Sequence, residues 1–94
     1  MTNQELVQVR DEIDRIDAEF MRLFTARIAA AENIALIKGR EGIGVYDKDR
    51  ERRVIEGAQS RVDDSLRDEA ALLMKTLMEI SRRRQVAVIE RMGK

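Results

Sequence analysis

A positively charged side chain stands in the apolar seam of the first predicted helix. Arg27 lies between Leu23 and Ala30, where the three-four spacing calls for an apolar residue. A buried arginine is costly unless it is paired, so it either meets a carboxylate, extends to solvent or forms an anion site. Lys38 follows eleven residues later, within about 20° of Arg27 around a helix. Both cations can therefore line one groove, which under the last of these interpretations would bind an anion.

Two further sets of polar residues are spaced to share helix faces. Asp47, Arg50 and Glu51 cluster at the start of the second predicted helix, where acids also serve as caps and complement the helix dipole. Ser81 and Gln85 are i, i+4 neighbours that present a hydroxyl and an amide to one side of the last helix. Taken alone, such a pair more often consists of two polar residues on the solvated surface, so both a structural and a binding interpretation stay open.

Arg10 stands apart from the other cations. On a continuous helix it lies ~25 Å along the axis from Arg27 and about 100° around it, too far to share a small ligand within one chain. Taken alone, Arg10 is best interpreted as a solvated surface charge. It can join the Arg27 site only from a second subunit.

The positions of these residues depend on three predicted helices. Residues 5–38 contain neither Gly nor Pro, and their apolar residues recur every three or four positions, which predicts one long helix. Such a helix would be roughly 50 Å long, whereas a compact 100-residue domain has a radius of gyration of about 13 Å. We therefore expect it to pair along its length with a copy of itself or with another chain.

Glycines and capping residues predict the remaining boundaries. The glycine-rich segment KGREGIGVYD ends the first helix, and Asp47 caps a second helix that ends near residues 59–63. Ser65 and Asp68 resemble a capping box for a third helix that ends at Gly93. The prediction is one all-α domain over residues 1–94, with a long, a short and a long helix.

Composition narrows the possible functions. The chain has 18 basic and 18 acidic residues, so no global positive field favours nucleic acid or a membrane surface. It has no Cys and no His, which excludes disulfides, thiolate or imidazole catalysis and the usual zinc sites, and we expect neither metal nor cofactor. The first residues lack a signal-peptide pattern and no apolar stretch approaches a membrane span, so a cytoplasmic location is expected.

Four stretches together carry a resemblance to a known family. They are VRDEIDRID, TARIAAAENIALIKGR, VYDKDRERRVIE and ISRRRQ, which between them hold all eight candidate residues. In order, the pattern resembles the all-helical class of chorismate mutases, in particular the bacterial domain that also occurs fused to prephenate dehydratase. The resemblance implies an intertwined homodimeric helical bundle. It also implies the cofactor-free [3,3] rearrangement of chorismate to prephenate, in phenylalanine and tyrosine biosynthesis.

The same resemblance assigns three residues to the substrate's carboxylates. Chorismate is a flexible dianion, and guanidinium forks bind carboxylates bidentately. Arg27 and, from the partner chain, Arg10 would hold the two carboxylates, with Ser81 as a supporting donor. The site would then be shared between two subunits of a homodimer.

The remaining assignments concern the reacting atoms and the ring hydroxyl. Lys38 and Gln85 would donate to the ether oxygen as negative charge develops on it. Glu51, with the Asp47 region, would accept a hydrogen bond from the ring hydroxyl, and Arg50 would tune the local field. Two departures from the family pattern are a loop without proline and a slightly short connection before the third helix.

Three other functions compete with this interpretation. An isochorismate pyruvate lyase has the same fold and similar cations, but generally lacks the acidic pair formed here by Asp47 and Glu51. A non-catalytic helical dimerisation module would tolerate replacement of Arg27. A nucleic-acid-binding dimer would use residues 82–84, three successive arginines, although a solvated helix face explains that run better.

Overall fold

The computed structural model describes residues 3–93, and in that part of the chain it contains helices and no strand. The predicted all-α class, with a long, a short and a long helix, is confirmed. In chain order the elements are α1 (Gln4–Glu41), α2 (Lys48–Ser60), a 3₁₀ turn (Asp64–Leu66) and α3 (Arg67–Met92). None of the helices described is long and apolar enough to cross a membrane.

Helix α1 has 38 residues and continues through the first glycine of the loop. A Cβ atom at Gly39 would lie 2.8 Å from Sδ and 2.9 Å from Cε of Met92, so this glycine leaves room for the end of that side chain. The helix ends at Glu41, and the next residue, Gly42, has a φ of 68°. The amide of Ile43 donates to the carbonyl of Lys38 at 2.9 Å, which is the Schellman closure that a left-handed glycine allows.

Helix α2 begins as predicted. Oδ1 of Asp47 accepts a hydrogen bond from the amide of Arg50 at 3.0 Å, so Asp47 is the N-cap. The helix ends at Ser60, within the range that the sequence indicated.

The capping box predicted for the third helix is wrong. Asp63 instead caps the 3₁₀ turn that precedes α3: its Oδ2 accepts from the amide of Ser65 at 3.0 Å and from the hydroxyl at 2.5 Å. These bonds from Ser65 lower the pKa of the Asp63 carboxyl. The Ser65 hydroxyl therefore donates to Asp63, two residues earlier in the chain. Helix α3 begins after the 3₁₀ turn, and its N-cap residue, Leu66, forms no side-chain capping bond.

The chain divides into two units, with the boundary between Ala30 and Ala31. In the N-terminal unit, residues 3–30, no residue is buried. The C-terminal unit, residues 31–93, contains the buried core of the described chain. Its buried apolar residues are Ala31, Ala35, Ala71, Met78 and Val88.

Candidate active site

Two polar residues lie in the buried stripe of α3. Ser81 is 6% exposed and Gln85 is 8% exposed, between the buried Met78 and Val88. The four positions follow a spacing of three, four and three residues, which is the spacing of one helix face. The surface interpretation that the sequence favoured for Ser81 and Gln85 is therefore wrong.

The amide of Gln85 has unused hydrogen-bonding capacity. Its Oε1 is buried and has no hydrogen-bond partner among residues 3–93. An unsatisfied buried polar atom costs about 1–3 kcal/mol, so such atoms are few in native proteins. A half-turn about the last side-chain bond exchanges Oε1 and Nε2, so this position can offer either an acceptor or a donor to a ligand.

Lys38 is half-buried near the end of α1. Its Nζ donates to the carbonyl oxygen of Val45 at 2.9 Å, which ties the glycine-rich loop to the helix. An ammonium group has three donors. One such bond therefore leaves capacity for an anionic or ether oxygen.

The polar residues at the start of α2 have different surroundings. Asp47 and Arg50 are exposed, and one oxygen of Asp47 is used by the cap. Glu51 is half-buried and forms a hydrogen-bonded ion pair between its Oε2 and Nη1 of Arg82 on α3. The sequence placed Glu51 with its neighbours Asp47 and Arg50, and did not single out Arg82.

Arg82 also contacts the loop before α2. Its guanidinium carbon lies 5.6 Å from the centroid of the Tyr46 ring, within the range of a cation–π interaction. The hydrogen bond that Arg82 donates to Glu51 is the main cause that raises the pKa of Arg82 above its ordinary value. Arg82 thus joins α3 to residues on both sides of the α2 N-cap.

Each arginine of the run 82–84 has a carboxylate partner. Arg83 pairs with Glu79 at 2.8 Å, and Arg84 pairs with Glu32 at 3.0 Å. The side chains of Arg83 and Arg84 are 77% and 50% exposed, whereas that of Arg82 is 33% exposed. A solvated helix face describes Arg83 and Arg84, but not Arg82.

The remaining two candidates lie in the N-terminal unit. Arg10 is exposed and Arg27 is half-buried. The described residues contain no group of three or more acidic, His or Cys side chains that would hold a metal ion.

An open groove of about 440 Å³ lies beside α3, on a different side from the buried stripe. It holds none of the eight candidate residues. The residues that line it are Val45, Tyr46, Glu79, Arg82, Arg83 and Val86. We place the candidate site at the buried polar face of Ser81 and Gln85 rather than in this groove, because a buried polar atom without a partner, here Oε1 of Gln85, is the better sign of a ligand.

Known proteins resemble the chain over most of its length. The profile of the family "Chorismate mutase type II" matches residues 9–86. A bifunctional chorismate mutase/prephenate dehydratase from Aquifex aeolicus is 40% identical over 53 residues, which are 56% of this chain and 15% of that protein. A chorismate mutase from Methanocaldococcus jannaschii is 33% identical over 51 residues, 54% of this chain and 52% of that protein. No solved structure matches significantly.

Proposed function

The chain belongs to the chorismate mutase type II family, and we propose that it is an isomerase that converts chorismate to prephenate in phenylalanine and tyrosine biosynthesis. The matched segments span about half of the M. jannaschii relative and less of the A. aeolicus one. One structural observation carries the proposal: Gln85 lies in the buried stripe of α3, and its Oε1 has no partner among residues 3–93. A half-turn of this amide exchanges Oε1 and Nε2, so the position can donate to an oxygen atom of a ligand.

The proposed reaction is pericyclic. A carbon–oxygen bond of the enolpyruvyl ether breaks as a carbon–carbon bond forms, and no proton, electron or external group is exchanged. The protein's task is to fold the side chain over the ring and to hold it there, which is a problem of orientation and entropy. We assign one carboxylate of the substrate to Arg27 and the other to Arg10 of the partner subunit, with Ser81 as a supporting donor. Planar guanidinium groups suit this task because they bind carboxylates through two parallel bonds.

Lys38 and Gln85 are assigned to the ether oxygen. Negative charge develops there as the bond stretches, so a donor aimed at this oxygen binds the transition state better than the ground state. The fixed bond from Nζ of Lys38 to the Val45 carbonyl supports this role, because it restricts where the remaining donors point. The ring hydroxyl is assigned to Glu51 and the Asp47 region, and Arg50 adds positive charge nearby.

The proposal requires a homodimer. The apolar stripe of the N-terminal unit is about half exposed, and its members are Val9 (52%), Ile13 (48%), Ile16 (49%), Phe20 (50%) and Leu23 (53%). A row of this length on one helix face is typical of a surface that a second helix covers. A second copy of the chain would cover it and would also supply Arg10. The cytoplasmic location stays a prediction that rests on the sequence.

The test is loss of chorismate absorbance on adding purified protein, with prephenate identified as the product. Arg27→Leu should be inactive while its helicity and its oligomeric state match those of the wild type. Activity retained by Arg27→Leu would favour the dimerisation module, in which removal of a buried charge is harmless or stabilising. Salicylate and pyruvate formed from isochorismate, with chorismate unchanged, would identify a lyase instead.

A further inference from the structure

We propose that Arg82 is a positioning residue for the reaction, which orients the Glu51 carboxylate toward the ring hydroxyl of the substrate. This inference rests on the proposed function and adds to it a residue that the sequence reading had left on the solvated surface. Arg82 does not itself touch the substrate. It acts through Glu51.

The ion pair with Arg82 engages one of the two oxygen atoms of the Glu51 carboxylate. Nη1 of Arg82 donates to Oε2, and Oε1 takes no part in that bond. The side chains are 33% and 22% exposed, so both are partly withdrawn from solvent. With Oε2 held, the direction of Oε1 is restricted. One oxygen is thus left to accept the hydrogen bond of a hydroxyl group.

The position of Arg82 on α3 suits this role. It follows Ser81 directly and is the i, i+3 neighbour of Gln85, so it lies at the edge of the face that carries both buried polar residues. From that edge it reaches Glu51, 31 residues away in sequence. A residue at this place can keep the start of α2 in register with the polar face of α3.

The contact with Tyr46 gives Arg82 a second point of attachment. Tyr46 precedes the N-cap of α2 and Glu51 lies in the first turn after it, so Arg82 contacts the chain on both sides of this helix start. A guanidinium group can stack on a ring through its face and donate through its edge, which an ammonium group cannot do with the same geometry. Lysine should therefore replace Arg82 only in part.

The structure also provides a matched control. Arg83 is the next residue and forms an ion pair with Glu79, but both belong to α3 and both side chains are largely exposed. Exposed i, i+4 pairs contribute little to stability. Arg83→Gln removes the same charge from the same helix and leaves Glu51 untouched.

The experiment is a double-mutant cycle on kcat and KM for chorismate, with wild type, Arg82→Gln, Glu51→Gln and the double variant. Arg82→Gln should lower kcat/KM by about tenfold, within the range that residues in direct contact show in such cycles. In the Glu51→Gln background the same change should cost less than twofold, because its target is gone. Arg83→Gln should stay within twofold of wild type, and Arg82→Lys should recover part of the loss.

A substrate analogue without the ring hydroxyl provides a second readout. The effect of Arg82→Gln should disappear with it, which a general loss of stability would not produce. Additive effects in the cycle, or equal losses for Arg82→Gln and Arg83→Gln, would overturn the inference. Absence of turnover by the wild type would instead refute the proposed function. If Arg82→Gln fails to fold, Arg82→Lys enters the same cycle, and additivity there overturns the inference equally.

Discussion

The two units of the chain differ in how much apolar surface each covers by itself. In residues 3–30 nothing is buried, and the apolar stripe from Val9 to Leu23 is about half exposed. In residues 31–93 a small core forms, and long-range ion pairs connect α3 to other segments through Arg82 and Arg84. The C-terminal unit buries part of its own apolar surface, whereas the N-terminal unit buries none of its residues 3–30.

This difference predicts which substitutions should affect assembly and which should affect catalysis or folding. Burying one large apolar side chain contributes roughly 1.5–3 kcal/mol. Covering a row of half-exposed apolar side chains with a partner would therefore contribute substantially to the free energy of association. Substitutions on the N-terminal stripe should therefore act through assembly. Substitutions in the C-terminal unit should act on chemistry or on the fold of each chain.

The largest effect is expected from breaking the N-terminal stripe. Ile13→Glu combined with Ile16→Glu places two charges in the proposed interface, so the dimer should dissociate and the site should lose Arg10. Loss of a buried charge partner costs about 2–5 kcal/mol, and with loss of assembly we expect turnover to fall by roughly a thousandfold or more. Sedimentation and chorismate turnover measure the two consequences.

The control adds the same charges to another side of the same helix. Gln8→Glu combined with Ala18→Glu should leave both assembly and turnover near wild type, because both positions are exposed and lie away from the stripe. A monomeric Ile13/Ile16 variant with full activity would remove the distinction between the two units, and with it the shared site.

The next effect tests chemistry within the C-terminal unit. Lys38→Ala removes a donor assigned to the ether oxygen, and loss of one such donor typically costs about a hundredfold to a thousandfold in kcat. The variant should stay dimeric and helical. Lys48→Ala, at the exposed first position of α2, is the charge-matched control. A higher KM with an unchanged kcat would show that Lys38 only binds substrate.

A smaller effect is expected on stability alone. Gly39→Ala would put a Cβ atom within 3 Å of Sδ and Cε of Met92, which are at the end of a flexible side chain that can shift at little cost. Because Gly39 lies inside α1, where alanine is favoured over glycine by about 0.5–1 kcal/mol, the variant should be slightly more stable than the wild type. Gly44→Ala, outside the helices, is the control, since a Cβ atom there meets nothing within 4 Å. Urea unfolding measures both variants, and a Gly39→Ala protein less stable than the wild type would mean that Met92 cannot move aside.

Local patterns in the sequence predicted most of the fold. Apolar spacing and the Asp47 cap gave the helix order, and they succeed because they depend on contacts within one or two turns. The continuation of α1 through Gly39 was missed, because three glycines lie close together and only the conformation of the backbone shows that Gly42 is the one in the left-handed region. At Ser65 two local capping patterns overlap, and the chain uses the one centred on Asp63.

The sequence predicted some features of the candidate site but not others. The spacing of Ser81 and Gln85 was visible in the sequence, but their burial depends on what packs over α3. The pair between Arg82 and Glu51 joins residues 31 positions apart, and no local pattern signals it. A partial signal was present, since one arginine of the run 82–84 must lie next to the face that carries Gln85.

The smallest expected effect concerns pH, where the wild type should show almost none between about pH 6 and 8. Histidine is the one side chain whose ordinary pKa lies in that range, and the chain has none. Glu51 raises the pKa of Arg82, so Arg82 stays charged throughout this range, and its contribution to stability would be lost as the pH rises through that raised pKa.

The variant Gln85→Glu should show a pH dependence of its activity that the wild type lacks. An amide donates at any ordinary pH, whereas a carboxyl group donates only when protonated, so activity of the variant should fall as the pH rises. Rates at saturating and at low chorismate, measured for both proteins over the same range, test this. A deprotonation between about pH 6 and 8 that abolishes wild-type turnover would contradict the role of Gln85. The contrast between the units would survive that result, because the N-terminal stripe from Val9 to Leu23 consists of apolar side chains that do not titrate.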